Sequence, residues 1–175
     1  MSTNRGKSWQ SIAGDLPEGT IVWVVKQDRL DENLLFAGTE YGLYFSPNKG
    51  ENWIKLNGGV PTIAFRDIEL HPREDDVVGA TFGRGFYVLD DYSCLRNLNS
   101  VVAEGTNTLF SVRDAWWYIP STPMQAKGMP SAGSTSYKGD NPPFGAVFTY
   151  YLADVPQTAK QARQKKENEL RKQET

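Results

Sequence analysis

Hydrophobic residues fall in short runs along this chain, dense in β-branched and aromatic side chains and separated by turn-forming residues. The densest, TIVWVVKQD at Thr20–Asp28, predicts a buried strand. RLDEN then reads as a turn, LLFAGTE as a second strand, YG as a tight turn and LYFS as a third strand. The order returns with FRDIELHP at Phe65–Pro72, REDD, VVGATFG, RG and FYVLDD. Aligning Val24 with Ile68 gives an offset of 44 and aligning Gly42 with Gly85 gives 43, so one residue is lost in the intervening turn. Each unit is predicted to be a small antiparallel meander.

An octapeptide punctuates the meanders. STNRGKSW at Ser2–Trp9 and SPNKGENW at Ser46–Trp53 share Ser-x-Asn-x-Gly-x-x-Trp, 44 residues apart. Asn4 and Asn48 at the third position are suited to accept hydrogen bonds from the backbone of their own turn. Gly6 and Gly50 at the fifth remove the steric cost of positive φ, and Trp9 and Trp53 are expected to cover the turn. Repeats of about 40–50 residues built from short strands indicate propeller blades. A helical solenoid would need helical periodicity, which Phe65–Asp91 lacks.

The expected fold is therefore all-β. A partial β-propeller of about two blades spans 1–96, an exit and irregular linker 97–143, and the start of an appended β-sandwich with a charged helix 144–175. The first octapeptide begins at Ser2, so the strand leading into it is expected upstream and the chain is expected to be a piece of a longer propeller. Open end blades lack neighbours, which predicts self-association or poor solubility.

Composition narrows the function classes. The 175 residues carry 19 basic and 21 acidic side chains, and a net charge of −2 gives no electrostatic reason to propose nucleic acid or an anionic membrane as partner. Aromatic residues at 12%, with 16 Gly and 10 Pro, lean towards sheets and turns. The single cysteine, Cys94, cannot form an internal disulfide and reads as a half-buried thiol. The first ten residues lack the apolar run of a secretory signal, and IVWVV at Ile21–Val25 is strand-sized, far short of a membrane span. Pro120–Pro143 is rich in Pro, Gly and Ser and reads as a linker, and FGAVFTYYLA reads as one sandwich strand with nothing downstream to pair with it. Gln157–Glu174 reads as a solvated helix whose one large apolar residue is Leu170, with Lys165 and Glu169 at i,i+4 spacing.

The octapeptides resemble Asp-boxes, the bacterial neuraminidase (BNR) repeats of sialidases, xyloglucan-active glycoside hydrolases, sortilin-type receptors and photosystem assembly factors. Both copies have Asn where those families usually have Asp, which keeps the turn chemistry without the charge. GATFGRGFYVLDDYSCLR at Gly79–Arg96, LFSVRDAWWY and NPPFGAVFTYYL resemble the end of the propeller in large secreted bacterial proteins of the BNR glycosyl hydrolase and sortilin-like kinds. Phe82 stands where His often precedes the Gly-Arg, and Cys94 where Pro is common. The resemblance covers about Ser2–Leu152. It implies an extracellular or periplasmic setting and a structural or binding module for glycan or protein ligands. A glycoside hydrolase with its catalytic groups mostly outside this chain, and a sortilin-like peptide binder, are the alternatives it leaves. The box lies on the outer rim in those families, so Ser2, Asn4, Gly6, Trp9, Ser46, Asn48, Gly50 and Trp53 are expected to be structural.

Candidate chemistry is sparse. A glycosidase needs two carboxylates at a fixed separation, and no spacing among Glu40, Asp67, Asp90 and Asp91 singles out a pair, so no catalytic residue is assigned. His71, the only histidine, has no Cys or carboxylate partner at ligand spacing; it reads as a loop imidazole bonded to backbone, and no metal or cofactor is expected. Arg84 sits between glycines at a hairpin tip, poised for an anionic group, though an ion pair with Asp90 or Asp91 is favoured. Trp116, Trp117 and Tyr118 offer flat rings for a sugar face, and adjacent strand residues point opposite ways, so one of them, Trp117, is the candidate. Arg84, Asp90, Asp91 and Trp117 are thus the candidate binding residues.

Overall fold

The computed structural model describes residues 1–117, 144–154 and 157–173. The chain divides into two compact units, Met1–Thr106 with Ala153–Thr175, and Asn107–Leu152. Nine of its described elements are strands, all paired antiparallel, and three are helical segments. No described helix is long and apolar enough to cross a membrane.

The first unit holds two meanders. Sheet A comprises β1 (Val22–Gln27), β2 (Leu35–Thr39), β3 (Gly42–Ser46) and β4 (Ile54–Lys55), in that order. Sheet B comprises β5 (Phe65–Leu70), β6 (Val77–Thr81) and β7 (Phe86–Leu89). Equivalent bonds close equivalent turns: Asp28 N–H donates to Leu34 O and His71 N–H to Asp76 O, while Thr39 Oγ1 donates to Gly42 O and Thr81 Oγ1 to Gly85 O.

The register corrects one expectation. Val22 pairs with Thr39 and Phe65 with Thr81, and each first strand carries an irregularity one residue later, at Trp23 and at Arg66. Val22 and Phe65 lie 43 residues apart, so Val24 corresponds to Asp67 and Val25 to Ile68, not Val24 to Ile68. A slip of one residue exchanges the faces of a strand, which is why the correction matters. The sequence hides it because β1 is apolar on both faces of its middle, at Val24 and Val25.

The faces sort accordingly. Val24, Phe36, Leu43 and Phe45 of sheet A pack against Phe65, Ile68, Val77 and Tyr87 of sheet B in one core with Leu34 and Tyr92. Leu56, Val60 and Ile63, from the segment joining the sheets, fill the same layer. The sheets meet closely: a Cβ on Gly38 would stand 2.7 Å from the Phe65 carbonyl oxygen. Burying such a set at about 25 cal/mol per Å² of apolar surface is the main term holding the meanders together. The opposite face of sheet A forms a smaller cluster, Leu35, Ala37 and Trp53 with Ile12, Leu16 and Tyr44.

After β7 the chain takes a form that the strand pattern does not predict. Asp91, at φ 49°, caps a 3-10 turn over Tyr92–Asn97, which runs into helix α1 (Leu98–Glu104). Tyr92 is buried and meets Phe36 edge-on at 5.1 Å, and Val101 is the buried residue of α1. The C-terminal helix α2 (Ala159–Gln173) opens with a capping box, Thr158 Oγ1 accepting from Gln161 N–H and Gln161 Oε1 accepting from Thr158 N–H. Arg163 and Glu167 form an i,i+4 ion pair on it at 3.3 Å, and Leu170 is exposed.

In the second unit β8 (Thr108–Leu109) pairs antiparallel with β9 (Tyr150–Tyr151). The strand expected over FGAVFTYYLA is thus confined to two residues, and its partner lies upstream. The linker expected at Pro120–Pro143 lies outside the described residues, as does Tyr118.

Candidate binding surface

The two octapeptides fold into the same turn. In the first, Ser2 Oγ accepts from Gly6 N–H at 2.8 Å and donates to Asn4 Oδ1, and Asn4 Oδ1 accepts from Ser8 N–H at 2.9 Å. In the second, Ser46 Oγ accepts from Gly50 N–H at 2.8 Å and donates to Asn48 Oδ1, and Asn48 Oδ1 accepts from Asn52 N–H at 2.9 Å. Arg5–Gly6 and Lys49–Gly50 both take positive φ, 58° and 81° against 58° and 88°. The side-chain carbonyl of Asn does what a carboxylate would do in this turn, because the partners are backbone N–H donors.

The copies differ in what covers them. Trp53 is 8% exposed: its indole Nε1–H donates to Ile12 O, and its backbone N–H donates to Asp15 Oδ1 at 2.6 Å. That bond, and a second from Asn52, hold the Asp15 carboxyl below the usual range. Trp9 is 77% exposed although its ring lies 3.9 Å from where a Cβ on Gly6 would stand, over its own turn, so the copies differ in the burial of the Trp.

A charged cluster ties the far ends of both sheets to the 3-10 turn. Arg96 makes two forked pairs, Nε and Nη2 to Asp28, both at 2.9 Å, and Nη1 and Nη2 to Asp75 at 2.8 and 2.7 Å. Asp28, whose side chain is fully buried, also accepts from Tyr92 OH at 2.7 Å and from the N–H groups of Leu30 and Asp31. Burial alone would push the Asp28 carboxyl up, but the bonds from Arg96 and Tyr92 outweigh it and hold it far below the usual range. Arg96 likewise lowers Asp75, and burial with the Asp28 charge raises the Tyr92 hydroxyl. Nothing in the sequence marked this cluster, since Asp28 and Arg96 stand 68 positions apart. Above it opens a cleft of ≈ 160 Å³ lined by Lys26, Arg29, Glu69, Pro72, Asp75 and Tyr92, with Lys26 and Glu69 paired across its edge at 2.9 Å.

A second feature lies on the first strands of the two sheets. The Arg66 guanidinium carbon stands 3.6 Å from the centroid of Trp23 and 5.2 Å from that of Phe82. Trp23 is 44% and Phe82 69% exposed. Among the described residues no acceptor bonds the Arg66 N–H donors, so a guanidinium held between two rings presents its edge to solvent. Such an arrangement suits a ligand with a flat apolar face and oxygen acceptors. Sequence reasoning passed over it because Trp23 and Phe82 read as strand and turn residues.

Within the first unit the residues singled out by sequence do not form one site. Among the described residues Arg84 forms no ion pair with Asp90 or Asp91. Asp91 is instead engaged as a cap, accepting from Ser93 N–H and Oγ. Trp117 is 88% exposed in the second unit, its ring 6.3 Å from that of Phe144. Glu40 accepts from Ile21 N–H and Asp67 from Ile68 N–H, so both carboxylates serve their own backbone. His71 Nδ1 accepts from Glu74 N–H, the loop role expected of it. Burial pushes the Cys94 thiol up. No protein-family model, curated protein or solved structure matches this chain.

Proposed function

We propose that this chain is a non-catalytic structural and binding module of the BNR-repeat propeller kind, its meanders acting as two neighbouring blades that present a surface to glycan or protein ligands. The observation that supports this most is the recurrence, bond for bond, of the same Ser-Asn-Gly turn in both octapeptides, beside two meanders stacked face to face. The ligand surface is the Trp23–Arg66–Phe82 stack: open rings fit a pyranose face or an aromatic peptide side chain, and the guanidinium edge fits its oxygens.

The test is a screen of the labelled chain against a glycan array and a peptide panel, with Trp23→Ala as control. Binding in either set that Trp23→Ala weakens about tenfold, the loss of one stacking contact, supports the reading. No binding in either set, or binding indifferent to Trp23, removes it.

A further inference from the structure

We propose that the protein docks head to tail with a second copy of itself, the outward face of sheet B in one copy covering the outward face of sheet A in the next. The warrant is the interface the chain already contains. Inside one copy, sheet A offers Val24, Phe36, Leu43 and Phe45, and sheet B covers them with Phe65, Ile68, Val77 and Tyr87. The pairing register carries the first set onto the outward face of sheet B: Leu43 corresponds to Phe86 and Phe45 to Val88, with Phe36 corresponding to Val78. Phe86 is 76% and Val88 58% exposed. The same register carries the second set onto the outward face of sheet A, Ile68 to Val25, Val77 to Leu35 and Tyr87 to Tyr44. There Ile12 and Leu16 already lie where Leu56 and Val60 lie in the internal layer. On sheet A, Leu35 is already buried in this cluster and Val25, 43% exposed, is the part left open, so the two outward faces repeat the pattern of the interface between the sheets.

The polar contacts agree with this continuation. Lys26 pairs with Glu69 and Trp23 stacks on Arg66 across the internal interface. Lys26 and Glu69 occupy corresponding positions, as do Trp23 and Arg66. When sheet B of one copy takes the place of sheet A, each pair forms again with its roles exchanged, Glu69 meeting the next copy's Lys26 and Arg66 meeting its Trp23. Like charges would have met had both positions carried the same sign, so the complementarity selects another copy of this chain as occupant. Two positions differ: Val24 corresponds to Asp67, which places a carboxylate on the outward face of sheet B where the internal face is apolar. Ala80 corresponds to Gly38, where a Cβ would stand 2.7 Å from a backbone oxygen, so the contact between copies is wider there and weaker than the internal one. Association is therefore concentration-dependent. Because the two faces differ, the contact is heterologous, closing into a ring or elongating according to the rotation at each step.

This inference shares Trp23 and Arg66 with the ligand reading but does not rest on it, and its test uses no ligand. Sedimentation equilibrium of the full chain across the micromolar range should show a mass rising above one copy. Val88→Asp and Val25→Asp each place a charge on one face, at an exposed position, and each alone should be monomeric with an unchanged thermal melt. Phe86→Asp substitutes for Val88→Asp should that variant fail to fold. An equimolar mixture of the two should form a heterodimer and nothing larger, because it contains one intact copy of each face. A monomeric wild type, association surviving in Val25→Asp alone, or a mixture that stays monomeric would each overturn the proposal.

Discussion

Ser2–Trp9 and Ser46–Trp53 form the same turn with the same bonds, yet one Trp is 77% exposed and the other 8%. The turn is local, closed by a Ser hydroxyl, an Asn carbonyl and a left-handed pair of residues within eight positions. Burial of the Trp is not local. Trp53 is covered by Ile12–Asp15, a segment 38 to 41 positions away, which docks on the second octapeptide through one carboxylate and one carbonyl. A motif repeated in sequence is thus half of a lock, and the other half belongs to the preceding repeat.

Several substitutions separate the two halves. The largest effect is expected at Arg96, whose removal leaves Asp28 buried without its counter-charge. Arg96→Ala should cost about 3–5 kcal/mol in denaturant unfolding, and it should expose Trp53, seen as a red shift of indole emission at low denaturant. Trp53→Ala should cost about 3–5 kcal/mol, against less than about 0.5 kcal/mol for Trp9→Ala. Equal costs would mean that the first octapeptide also docks in solution.

The glycines give the next contrast. Gly6→Ala meets only the penalty of positive φ, about 1–2 kcal/mol, and this falls on an exposed turn. Gly50→Ala meets that penalty and a clash, since its Cβ would stand 2.6 Å from the Ile12 carbonyl oxygen. The melting temperature should fall further for Gly50→Ala. Asp15→Ala should lower it too, by less than Trp53→Ala, while leaving Gly6→Ala and wild type in their original order.

The smallest effect concerns pH. Asp28 has its folded pKa depressed, so its stabilisation is fully present above the unfolded carboxyl pKa and is lost as pH falls through the folded value. The deficit of Asp28→Asn relative to wild type should therefore stay level from pH 7 to about 4 and shrink in stronger acid. A deficit that stays level or grows below pH 4 would show that the Arg96 pair is open in solution.

Much of the fold was legible because its determinants are short-range. The alternation of β-branched runs with Gly, Asn and Asp placed all three strands of each meander, and Asn48 with Gly50 gave the turn and its torsions. Register was less legible, since Val24 and Val25 are both apolar and either suits the buried face. The candidate site was hardly legible at all. Arg84 stood out as a charge between glycines, with Asp90 and Asp91 as candidate ion-pair partners, yet Asp91 caps a helical turn, while Arg66 gains its setting only from Trp23, 43 positions away.

What the sequence determined by itself is the set of elements that close within about ten residues: strands, tight turns and both octapeptide loops, each governed by torsional preference and local hydrogen bonds. What only the tertiary structure decided is which of two identical turns is buried, which face of each first strand meets the other sheet, and which acid Arg96 neutralises. Those outcomes depend on burial and on charge pairing in a low-dielectric interior, and both are properties of groups brought together from distant positions.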